Sequence, residues 1–185
     1  DEKFDDASVA QSLCGIAISQ KGTGFNKNLC PFLERWKGKM TMSQTQDTSV
    51  ILVCAGNATR MQGKNKILLP LGDTNVIGMS MRAFEACPRV AEIIVVARPA
   101  DHDAIRETAE QCGITKFHAI VAGGSTRQES VMCGLRALSK GTTMIAVHDG
   151  ARPLVKTEQI AQVIQDASVF GGATLGVPVK DTIKV

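Results

Sequence analysis

The sequence predicts a three-layer α/β/α fold around a mostly parallel, Rossmann-like sheet, on the strength of three observations. From residue 49 onward, apolar runs of strand length alternate with segments of helical period. The runs are continuously apolar, as in strands covered on both faces by helices. Polar loops follow several of them, at the strand ends where open α/β sheets gather ligands.

The elements follow in order. The apolar run 50–53 is a buried strand, and a helix is expected near 76–86. A strand over 92–97 leads to a helix near 101–112, and a strand near 117–121 leads to a helix over 127–139. That last helix is opened by Thr126-x-x-Glu129, a capping box, and continues through Val131, Leu135 and Leu138. A strand over 144–148, a helix near 157–170 and a closing strand over 173–179 complete the series. Residues 1–48 differ: they mix charges, glycines and the only tryptophan, Trp36, without a sustained period, and read as an extension outside the catalytic domain at 49–185.

Composition narrows the class. A chain of 185 residues suits one domain with a sizeable core. No apolar stretch approaches membrane-spanning length. A net charge of +3, with no Lys/Arg block or interleaved aromatic series, argues against nucleic acid and leaves phosphorylated small molecules as natural partners. The six cysteines form no C-x-x-C pair and no secretory signal opens the chain, so they read as reduced residues of a cytoplasmic protein.

Three loops carry polar residues that packing does not need. The first, Ala55-Gly56-Asn57-Ala58-Thr59-Arg60-Met61 with Lys66 beyond it, follows a buried strand. Its glycine lets backbone N–H groups approach phosphate oxygens, and its two cations can neutralise charge developing in phosphoryl transfer. It matches neither G-x-x-x-x-G-K-[ST] nor G-x-G-x-x-G. The second loop, Gly123-Gly124-Ser125-Thr126-Arg127-Gln128-Glu129-Ser130, exposes backbone groups ahead of a helix that could read a base edge or hold an anion; a tight turn with an N-cap is the plainer reading. The third is His148-Asp149-Gly150-Ala151-Arg152-Pro153. Asp149 suits Mg²⁺, which prefers one or two carboxylates plus phosphate oxygens, whereas His148, with no second His or Cys at ligand spacing, reads as structural.

Together these loops resemble the 2-C-methyl-D-erythritol 4-phosphate cytidylyltransferase family of the non-mevalonate isoprenoid pathway, a branch of the nucleotide-diphospho-sugar transferase fold. The resemblance also rests on Pro178-Val179-Lys180-Asp181-Thr182-Ile183-Lys184 and covers 49–185. It implies that CTP lies over Ala55, Gly56 and Asn57, with Arg60 and Lys66 on its phosphates as the catalytic cations. It implies base recognition at Gly124 and Ser125 with Arg127 and Ser130 nearby, Mg²⁺ on Asp149, and the sugar-alcohol phosphate at Arg152 and Thr182. A complete chain of this kind is expected to be a homodimer.

Two departures stand beside the match. Position 125 is Ser where an acidic residue is common in relatives, which leaves part of the base contact to backbone. The sequence also ends at Val185, so it reads as a fragment lacking part of the acceptor site. A ribitol 5-phosphate cytidylyltransferase would share the CTP loops. A non-catalytic nucleotide-binding module would not need Arg60, Lys66 and Asp149 together.

Overall fold

The computed structural model describes residues 17–20, 46–56 and 65–176, the first of these as backbone. Strand β1 (Ala17–Gln20) is followed by β2 (Thr48–Val53), a 3-10 turn (Lys66–Leu68), the short strands β3 (Pro70–Leu71) and β4 (Thr74–Asn75), and helix α1 (Val76–Glu85). Then come β5 (Val90–Ala97), α2 (His102–Gln111), β6 (Phe117–Ala122), α3 (Arg127–Arg136), β7 (Met144–Asp149), α4 (Thr157–Phe170) and β8 (Gly172–Thr174). The main sheet runs β6-β5-β2-β7-β1-β8. Its β6, β5, β2 and β7 are parallel, and β1 is antiparallel to both neighbours. This is the mostly parallel α/β architecture that the sequence predicts.

Strand parity explains the layers, because successive side chains point to opposite faces. Val50, Leu52, Ile93, Val95, Met144 and Ala146 join one buried core with Ile77, Met81 and Phe84 of α1, Ile105 of α2, and Ile160 and Ile164 of α4. Ile51 and Val96 point the other way, toward α3. There Gly134 brings the helix so close that a Cβ on it would stand 2.6 Å from Ile51 Cγ2. The central strands are therefore buried on both faces, which is why their sequence runs show no polar alternation.

Four parts of the chain depart from the sequence reading. Strand β1 comes from the segment set apart as an extension, yet it pairs through Ala17↔Val147 to Gln20↔Met144 on one side and with β8 on the other. Its place depends on main-chain hydrogen bonds to β7 and β8, which leave no periodic signature in four residues. The β3–β4 hairpin was not anticipated either, and it turns at Gly72, whose φ of 65° is easy only for glycine. Helix α3 ends at Arg136 instead of residue 139. Beyond that helix, Ser139 leaves its axis to donate through N and Oγ to the buried Glu92 carboxylate at 2.9 and 2.5 Å. The closing strand, expected over 173–179, runs over Gly172–Thr174: residues 175 and 176 have already left it, and 177–185 lie outside the described residues.

Among the described residues, no helix is long and apolar enough to cross a membrane.

Candidate active site

Register brings the loops together. Val53 lies level with Val96 and with Asp149, and Ala97 with Ala122, so four parallel strands end along one line. The loops leaving β2, β6 and β7 enclose a cavity of about 610 Å³. From the first loop it is lined by Ala55, Gly56 and Lys66, and from the second by Gly124, Ser125, Arg127 and Ser130. Asp149 and Arg152 line it from the third. All the predicted site residues in the described part of the chain therefore share one cavity. Asn57, Arg60 and Thr182 lie outside the described residues.

Local bonds set each side chain. Lys66 opens the 3-10 turn, and the Asn65 Oδ1 caps that turn by accepting from Ile67 N at 3.3 Å. The exposed Lys66 is thus mounted on a fixed backbone at the cavity mouth. In the second loop Thr126 Oγ1 accepts from Glu129 N at 3.1 Å, the expected N-cap. The return bond of the capping box goes elsewhere: Glu129 Oε2 accepts from Ser125 N and Ser125 Oγ, each at 2.7 Å. These bonds hold the Glu129 carboxyl below its usual pKa. Gly124 is the residue that lets this happen, because a Cβ there would come within 2.3 Å of Glu129 Cβ. The hydroxyl of buried Ser130 accepts from Gly124 N at 3.2 Å and donates to Thr126 O at 2.9 Å, so Ser130 shapes the loop from within.

The third loop is an ion-pair bridge. Asp149 Oδ1 accepts from Arg127 Nη2 at 2.8 Å, and its Oδ2 lies 3.1 Å from Arg152 Nε. His148 is structural, as the sequence suggests. It is 2% exposed, packs on Phe84 and donates from Nε2 to Arg152 O at 3.0 Å, while burial holds its pKa below the usual value. Among the described residues no group of three or more His, Cys, Asp or Glu side chains could hold a metal ion. Each oxygen of Asp149 is engaged by a guanidinium group.

Sequence reasoning passed over Cys54, which lines the cavity, and Asp101, which stands near Cys54. Cys54, just past the end of β2, is buried against Gly150; that burial, with Asp149 and Asp101 nearby, pushes its thiol pKa up to about 12. Asp101 is 6% exposed at the end of a 3-10 turn, Pro99–Asp101, and Arg98 Nε donates to it at 2.8 Å. Burial alone would raise the Asp101 pKa, but the bonds from the paired Arg98 guanidinium outweigh it and hold the carboxyl low. An aspartate three residues past an arginine, just beyond an apolar strand, was the available signal.

Residues 48–185 match the family model described as IspD: 2-C-methyl-D-erythritol 4-phosphate cytidylyltransferase. The chain belongs to that family. A cytidylyltransferase of this name from Pelotomaculum thermopropionicum is 42% identical over 139 residues, covering 74% of this chain and 58% of the relative. Another from Caldanaerobacter subterraneus subsp. tengcongensis is 40% identical over 141 residues, covering 75% and 62%. A crystal structure of 4-diphosphocytidyl-2C-methyl-D-erythritol synthase superposes with a TM-score of 0.61 at 28% identity, covering 75% of this chain and 63% of that one. The cytidylyltransferase relatives are thus longer, and this chain spans 58% and 62% of the two named above.

Proposed function

We propose that the protein transfers a cytidylyl group from CTP to 2-C-methyl-D-erythritol 4-phosphate, giving 4-diphosphocytidyl-2-C-methyl-D-erythritol and pyrophosphate. The observation that carries this reading is the convergence of three loops, from three strands of a sheet in this family's fold, on one cavity. A phosphate oxygen of the acceptor attacks the α-phosphorus of CTP in line. The new O–P bond forms as the bond to the β-phosphate oxygen breaks, and pyrophosphate leaves with the electron pair. The nucleophile is already an anion, so no protein nucleophile is needed and catalysis consists of positioning and charge neutralisation.

Lys66 and Arg60 take the phosphates in this reading. Backbone at Ala55, Gly56 and Asn57 cradles the triphosphate. Gly124 and Ser125 face the base, and with both Ser125 donors held by Glu129, carbonyl oxygens of this loop are left to receive the cytosine amino group. Arg152 and Thr182 meet the acceptor. The test is phosphorus NMR of the protein with CTP, Mg²⁺ and either methylerythritol phosphate or ribitol 5-phosphate. A diphosphodiester and pyrophosphate from the first acceptor alone are expected; product from ribitol 5-phosphate alone would overturn the assignment.

A further inference from the structure

We propose that Asp149 is a positioning residue that couples Arg127 to Arg152, and that it is not a ligand of the metal ion. The proposal rests on the cytidylyltransferase reading of the cavity. Asp149 stands at the end of β7, Arg127 is the first residue of α3, and Arg152 lies in the loop past β7. One carboxylate thus ties two loops together, with Oδ1 on Arg127 at 2.8 Å and Oδ2 on Arg152 at 3.1 Å. The backbone reinforces the second contact, since Arg152 N donates to Asp149 O at 2.9 Å and Arg152 O accepts from His148.

A divalent cation on this carboxylate would stand beside two guanidinium charges and displace at least one of them. Mg²⁺ keeps several waters and takes substrate phosphates together with one or two open carboxylates. An ion that arrives with CTP brings phosphate and water donors, and Asp149, with each oxygen on a guanidinium, is not an open carboxylate for it to recruit. The bridge serves a different end: it sets the spacing between the guanidinium expected on the nucleotide side and the one expected on the acceptor side. Neither arginine can shift without disturbing the other, so the two substrates are sensed by one rigid unit.

The experiment uses Mn²⁺ as the probe, with its binding in the presence of CTP followed by electron paramagnetic resonance and CTP affinity followed by calorimetry. Wild type, Asp149→Asn, Arg127→Ala and the double variant are compared, with thermal unfolding as the folding control. Asp149→Asn keeps the shape and removes the charge. CTP affinity at saturating Mn²⁺ should fall about tenfold, the scale of one charged hydrogen bond, while the Mn²⁺ concentration for half-occupancy changes less than about twofold. The double variant should bind CTP no more weakly than Arg127→Ala alone, because Asp149 acts through Arg127. A tenfold rise in the Mn²⁺ requirement of Asp149→Asn with unchanged CTP affinity would overturn the proposal, and so would additive losses in the double variant. Failure of folded wild type to bind CTP at all would remove the cytidylyltransferase reading and this proposal with it.

Discussion

Replacing Gly123 with alanine should destabilise the protein, and replacing its neighbour Ala55 with glycine should reverse part of the damage. A Cβ on Gly123 would stand 2.2 Å from the Ala55 Cβ and 2.9 Å from Ser130 Oγ. Ordinary contact begins at 3.4 Å, so the two loops must separate by about 1.2 Å, the difference between 3.4 and 2.2 Å. Neither Cβ can rotate away, because both are fixed to backbone. That backbone is itself pinned, with Cys54 N donating to Val96 O at 2.7 Å and Gly123 N to Ala97 O at 3.1 Å. Overpacking of this kind costs about 1–3 kcal/mol. At this chain length that is a Tm loss of roughly 2–12 °C. Ala55→Gly alone should cost about 0.4–1 kcal/mol through greater freedom of the unfolded chain. In the Gly123→Ala background the same change should instead stabilise. Urea unfolding of the four proteins measures the cycle. The contact argument is refuted if Gly123→Ala lies within about 0.5 kcal/mol of wild type, or if Ala55→Gly destabilises both backgrounds equally.

Other expectations follow from single residues. Lys66→Ala and Arg60→Ala should each lower the transfer rate about a hundredfold or more without changing the urea midpoint; turnover near wild type in either would remove that residue from the phosphate site. Cys54, with its thiol pKa pushed up to about 12, should resist maleimide labelling at pH 8 until urea unfolds the protein, as read by peptide mass spectrometry. Modification of Cys54 in the native protein would contradict its burial. Glu92 supplies a pH test. Burial raises its pKa, but bonds from Ser139 and Ser49 outweigh that and hold it below its ordinary 4.5. The stability it contributes is therefore complete above pH 4.5 and lost as pH falls through the depressed folded value. Glu92→Gln should cost about 1–3 kcal/mol at neutral pH and flatten this acid limb in denaturation curves; an unchanged limb would contradict it.

The parts of the fold legible in sequence are those whose physics is local. Strands β2, β5 and β7 are buried on both faces, so each wrote a short apolar run, and the loops beyond them kept polar residues that no core required. Helix α3 was announced by Thr126, whose N-cap the structure contains. Long-range chemistry was not legible. Nothing around residues 17–20 announces a strand, because β1 is placed by pairing with β7 and β8. Glu129 was read as capping Thr126, yet its carboxylate turns to Ser125, a choice made by the space that Gly124 leaves. Asp149 reads in sequence as a Mg²⁺ ligand, and its pairing with Arg127 is not legible there because Arg127 lies 22 residues away and meets it only when α3 packs beside β7.

The most direct test of the central claim is calorimetric titration of this chain with CTP, ATP, GTP and UTP, with and without Mg²⁺, repeated on Lys66→Ala. The account predicts binding selective for CTP, strengthened by Mg²⁺ and weakened about tenfold or more by Lys66→Ala. A folded protein that binds no nucleotide, or one that takes ATP or GTP as tightly as CTP, would contradict it.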